Sequence, residues 1–229
     1  MENTLWEKLE QYDKSGNYIA MGDLLRDVVW KRNADAALYV LKCVSHGGMR
    51  EGNNSDVVDL LEESKDYDNS HEKGLLMKAA DKLDKKIAND SLDLLKPAIV
   101  SLTNSNFCEA TKGIITYGED EQLDKATEII APLFEPLKTH YKKLAWGGSE
   151  QVVHVICTSI TEIAELLASA NKAKTSSGKK LLIGFIDGCL TPFEKAYSSG
   201  FMMRLMALFS PYPQLKEIKA TIAKLKKMI

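Results

Sequence analysis

The sequence predicts an all-α protein, an irregular bundle of about ten to twelve helices, with an α-solenoid as the alternative. Apolar residues recur at helical spacing through most of the 229 residues, and no set of strand-like segments alternates with them, which argues against an α/β sheet. The stronger capped starts fall near 17, 55, 90, 120, 149 and 177. Their intervals shrink along the chain and share no motif, which favours a bundle over stacked repeats. A content of 45% hydrophobic and 27% charged residues allows a sizeable core and argues against disorder. The chain reads as an acidic lobe over 1–118 and a basic lobe over 119–229, or as one compact domain 1–229.

The first helix is expected over Thr4 to Lys14, closed by Ser15-Gly16. Asn17 is a capping residue before a run that puts Ile19, Leu24, Leu25, Val28 and Val29 on one face. Asn33 caps the next helix, Ala36 to Ser45, which ends at Gly47-Gly48. Ser55, Ser70 and then Asp90 or Ser91 open three further helices, the last bent at Pro97. Phe107 to Tyr117 contains GIITYG, strand-like in composition, but it is short and partnerless, so a helix is expected. Asp120 to Trp146 holds Pro132 and Pro136, which predict a kinked helix or two helices meeting near Phe134.

Ser149 precedes the clearest helix, with the stripe Val152, Ile156, Ile160, Ile163 and Leu167. The most apolar stretch runs from Gly178 to Phe209. It predicts a buried hairpin, one arm carrying Leu182, Phe185, Ile186, Cys189 and Phe193 and broken near Pro192, the other carrying Phe201, Leu205 and Leu208. The last helix, Gln214 to Met228, turns Leu215, Ile218, Ile222 and Leu225 inward and lysines outward.

The formal net charge of −2 is divided unequally. Residues 1–136 hold 16 Lys and Arg against 26 Asp and Glu, while residues 137–229 hold 14 against 6. A −10/+8 split points to a charged partner for one half. The basic residues form three clusters: Lys138, Lys142 and Lys143; Lys172, Lys174, Lys179 and Lys180; and Lys216, Lys219, Lys224, Lys226 and Lys227. If they converge, with Tyr141 and Trp146 near the first, they line a groove for nucleic-acid phosphates. The plainer reading is that lysines solvate helix ends, where positive charge suits the helix dipole.

Other chemistry is weakly marked. SSGKK at Ser176 to Lys180 lacks the first glycine and the Ser/Thr of a phosphate loop. Cys43 with His46, and His154 with Cys157, have helical i, i+3 spacing, yet structural zinc sites favour loop-borne CxxC pairs, so no metal and no cofactor are expected. The spacing of the four histidines and four cysteines favours no catalytic triad. The widely separated cysteines suit reduced buried thiols. The start of the chain has no basic segment leading into an apolar run, and no stretch of 18 uncharged apolar residues occurs, so an intracellular setting without a spanning helix is expected.

The expected function is therefore that of an intracellular, non-enzymatic interaction or assembly protein acting through complementary acidic and basic halves. Nucleic-acid binding of a nucleocapsid-like or coat-like kind is the alternative. One form of the first reading lends the terminal stripe Leu215, Ile218, Ile222 and Leu225 to a neighbouring chain. In the competing arrangement that stripe folds back on its own bundle.

Overall fold

Short polar residues set the helix starts by accepting hydrogen bonds from N–H groups that a first turn leaves without partners. Asn17 accepts from the Ala20 N–H at 3.2 Å, Asn33 from those of Asp35 and Ala36 at 3.0 Å, and Asn104 from that of Asn106 at 2.9 Å. In this computed structural model, which describes residues 2–49, 94–141, 144, 150–199 and 213–229, the regular elements among the described residues are all helical. They are α1 (Glu2–Ser15), α2 (Tyr18–Arg26), a single 3-10 turn (Trp30–Arg32), α3 (Ala34–Ser45) and α4 (Leu94–Thr103). After these come α5 (Ser105–Tyr117), α6 (Asp120–Thr139), α7 (Glu150–Ser169), α8 (Ser176–Ile183), a π-helical stretch (Gly184–Leu190), α9 (Thr191–Ser199) and α10 (Pro213–Lys226). The helices expected from Ser55 and from Ser70, the caps at Asp90, Ser91 and Ser149, and the hairpin arm with Phe201, Leu205 and Leu208 lie outside the described residues.

GIITY is helical, as the last part of α5, and Gly118 ends it in an extended conformation. Its glycine serves packing: a Cβ at Gly113 would stand 3.5 Å from the Ala37 Cβ, so α3 and α5 approach closely across two small residues. Gly16 and Gly47, at φ +68° and +79°, terminate α1 and α3 in the left-handed conformation that costs glycine least.

Of the proline expectations, a division into two helices near Phe134 and a break at Pro192 are corrected. α6 runs unbroken through Pro132 and Pro136, with no end near Phe134. Pro132 is exposed and Pro136 half-buried, and the carbonyls deprived of a donor, those of Glu128 and Pro132, belong to exposed residues that water can serve. Pro192 likewise breaks nothing. It follows closely on a π-helical stretch, and the helix continues through it into α9.

What changes in this region is the helix width, just before the proline. From Gly184 to Leu190 the backbone takes the wider π form, and the Thr191 N–H reaches back to the Ile186 carbonyl. The Phe134 ring of α6 fills the space beside it: a Cβ at Gly188 would lie 2.3 Å from that ring, so only glycine fits there. Phe134 and Phe107 both meet Phe185 edge-on, at centroid distances of 6.0 and 6.5 Å. This aromatic trio joins α5, α6 and the π stretch.

A single cluster of buried apolar residues extends from Leu9 and Met21 through α3, α5 and α6 to Ile218 and Leu225. It therefore spans residues of both the 1–118 and the 119–229 segments. Cys43, Cys108, Cys157 and Cys189 are all buried and unbonded. Gln151–Ser169 within α7 is long and apolar enough to cross a membrane, a possibility the count of uncharged residues had passed over. Its stripe Val152, Ile156, Ile160, Ile163 and Leu167 is buried in the protein core, and Glu162 and Glu165 lie on the exposed side.

Candidate functional site

The final helix divides its sides sharply. Ile218, Ile222 and Leu225 are buried, with Thr221, and Leu215 is partly buried against the same core. The stripe weighed as a surface for a neighbouring chain is thus covered by α7, α9 and the π stretch of its own chain. Burying an apolar stripe nearby is the default for an amphipathic helix joined to its own bundle.

α10 runs parallel to α7, as three successive contacts show. His154 Nδ1 lies 2.8 Å from the Glu217 carboxylate, Thr221 hydrogen-bonds Cys157, and Lys224 pairs with Glu165. Burial pushes the Cys157 thiol up to about 12, against that Thr221 hydrogen bond, which lowers it.

The outer side of α10 presents Lys216, Lys219, Lys226 and Lys227, all exposed and without an acidic partner among the described residues. The helix dipole accounts for the last two, which lie at or just past the C-terminal turn. It does not account for Lys216 and Lys219. Lys216 lies in the first turn, where the dipole disfavours a cation, Lys219 lies near the middle of the helix, and the one acid of α10, Glu217, is turned to His154.

The remaining lysines have separate duties. Lys172, partly buried, donates from Nζ to the carbonyls of Ile115 and Gly118 at 2.7 and 2.5 Å, closing the C-terminal end of α5. Lys180 pairs with Asp124 at 3.2 Å and Lys138 with Glu135 at 3.1 Å. Asp124 and Glu135 both belong to α6, and the ammonium groups of Lys180 and Lys138 are held about 16 Å apart along it, at 1.5 Å per residue. Lys174 is exposed and Lys179 half-buried. Lys142 and Lys143 lie outside the described residues, as does Trp146, while Tyr141 packs against the core.

Among the described lysines of the first two clusters, Lys138, Lys172 and Lys180 are thus engaged by groups of their own chain. Thr175 takes the Gly178 N–H at 3.1 Å, so the SSGKK turn is capped by protein.

The histidine and cysteine pairs also separate. Cys43 is buried, its thiol on the Tyr18 carbonyl, while His46 lies outside and stacks on the Tyr18 ring at 4.0 Å. His154 is exposed above buried Cys157. No group of three potential metal ligands occurs among the described residues.

Sequence reasoning missed a second feature. α1, α3 and α6 enclose an open cleft of about 660 Å³. Trp6 and Tyr39 form one wall, with ring centroids 6.0 Å apart and planes tilted by 41°. Glu10, Asp13, Asp35 and Glu128 supply carboxylates, and Lys42 bonds Asp13 at 2.5 Å. Burial raises the Tyr39 phenol above its ordinary value, and Glu10, Asp13 and Asp35 raise it further. The only hint in the sequence was Trp6 and Leu9 on one side of a short first helix, because the other lining residues come from positions far away in the chain.

No family model, curated protein or solved structure matches this chain. The geometry alone therefore carries the functional reading.

Proposed function

We propose that this protein is a non-enzymatic helical interaction protein whose α10 lysine ridge engages an acidic partner surface. The observation that carries the reading is the placement of Lys216 and Lys219, exposed cations with no acidic partner among the described residues, the first of them in the turn where the helix dipole opposes it. Charge held against local stability favours a role outside the fold. The acidic first half of another copy of the chain is one surface of matching sign. An apolar exchange of α10 is not part of the proposal, since Ile218, Ile222 and Leu225 are already buried.

A protein surface is preferred to a nucleic acid for two reasons. The ridge contains lysine and no arginine, which weakens bidentate base readout. Tyr141 is packed against the core rather than free to stack on bases.

The test compares the wild-type chain with a variant carrying Lys216→Gln, Lys219→Gln, Lys226→Gln and Lys227→Gln. Binding to a fluorescent oligoglutamate peptide and to a single-stranded RNA of equal charge is measured by anisotropy from 50 to 500 mM salt. The expected result is at least a tenfold loss of peptide affinity in the variant at low salt, with helicity unchanged. Equal affinity in the two chains overturns the proposal. RNA bound far more tightly than the peptide, with the salt slope reduced by about 3 in the variant, makes it a nucleic-acid protein instead. Light scattering at 50 and 500 mM salt then shows whether another copy is the partner.

A further inference from the structure

The α1–α3–α6 cleft is separate from the lysine ridge and has the opposite character. Its volume of about 660 Å³ falls within the range of small-ligand sites. Its lining combines an aromatic pair, Trp6 and Tyr39, with aliphatic surface from Leu38, Ile129 and Pro132. Such a wall favours the stem of a ligand through burial and a cationic end through the ring faces.

The charges lining the cleft determine which end fits. Four carboxylates face two ammonium groups and one exposed histidine. Lys42 is held by Asp13. Lys125 pairs with Glu121, which does not line the cleft, at 2.7 Å, and feels Asp35 and Glu128 only as weaker, through-space charges. The ring nitrogen of His46 that faces the Lys42 carbonyl at 2.8 Å acts as donor, since a carbonyl only accepts. Asp35 accepts only a long 3.4 Å hydrogen bond from the Gln122 amide, and Glu128 has no ion pair among the described residues. The raised Tyr39 phenol places the field of Glu10, Asp13 and Asp35 at the aromatic wall itself.

We infer that this cleft binds an alkylammonium group, an amine at the end of an aliphatic stem, seated against Trp6 and Tyr39 and neutralised by Asp35 and Glu128. A lysine side chain and a free aliphatic amine share that chemistry. The inference does not depend on the α10 ridge. A lysine of another copy would connect the two sites, with the ridge of one chain supplying the cleft of the next.

The experiment uses the full chain and two probes, Nα-acetyl-lysine methylamide and the same molecule acetylated on its ε-nitrogen, which removes the charge and keeps the stem. Calorimetric titration is expected to show millimolar binding of the charged probe and at least tenfold weaker binding of the neutral one. The double variant Asp35→Asn, Glu128→Gln should lose that preference while keeping its helical spectrum. Trp6→Leu should weaken the charged probe by a similar factor. Cadaverine serves as the free-amine arm. Sedimentation velocity at low salt serves as the second-copy arm: association competed away by the charged probe identifies the lysine of another copy, and probe binding to a chain that stays monomeric identifies a separate amine. Equal binding of the two probes, or no binding of the charged one at 20 mM, overturns the inference. A wild-type preference that survives in the double variant does so too.

Discussion

The α10 ridge and the α1–α3–α6 cleft use the same residue type to opposite ends. On the ridge, Lys216 and Lys219 are exposed on a helix, with no acid among the described residues to hold them. At the cleft, Lys42 is partly buried and tied to Asp13, so its charge is spent inside the protein. Lys172 is a third case, consumed by the last carbonyls of α5. A lysine's meaning is therefore set by what its ammonium reaches. A cluster of lysines in a sequence marks a binding surface only after the paired ones are subtracted.

Ridge and cleft hang on one buried cluster, and Phe185→Ala is its severest test. Phe185 is fully buried between Phe107 and Phe134. Its truncation should cost about 3–5 kcal/mol in urea denaturation, within a single transition seen by probes on α1 and on α10 alike. A loss under about 1 kcal/mol, or two separate transitions, would divide the molecule into independent halves.

The distinction among lysines is sharpened by a matched pair. Lys172→Met removes both donors to the Ile115 and Gly118 carbonyls, and about 1–3 kcal/mol of stability should go with them. Lys219→Met, on the exposed ridge, should change stability by no more than about 0.5 kcal/mol while weakening the acidic peptide. Similar costs at the two positions would erase the distinction.

A third measurement reaches the seam beneath the ridge through pH. Burial holds the folded-state Cys157 thiol at about 12, well above the ordinary thiol value. The unfolded chain therefore releases this proton first, and stability falls as pH rises from about 9 toward 12. Between pH 9 and 10 this thiol should account for about 1 kcal/mol of the loss. That share should be missing from the pH slope of Cys157→Ala, and an unaltered slope would show that the thiol is not shielded under α10.

Much of the fold was legible because it is written locally. Asn17 and Asn33 announce their helices by side-chain chemistry, and the α7 stripe announces its buried side by spacing. The prolines misled because the cost of a proline depends on whether water reaches the orphaned carbonyl. That is a property of the packed surface rather than of the sequence. The cleft was illegible for a related reason: Trp6, Tyr39 and Glu128 come together only through the packing of three helices. The lysine ridge lay between these extremes. Its periodicity on α10 could be read, but the loss of Lys172, Lys180, Lys138 and Lys224 to partners within the chain could not.

The π stretch also bears on how this chain tolerates insertions and deletions. A wider turn holds an extra residue, so the stretch from Gly184 to Leu190 offsets the phase of α9 against that of α8. Loss of one residue there would turn everything downstream by about 100°, one step of a 3.6-residue turn. Phe193, Ala196 and Tyr197 would then face away from the core they now fill. The length of this segment is thus under tighter constraint than most of its side chains, and a change of one residue in the count would be felt as far as the seat of α10.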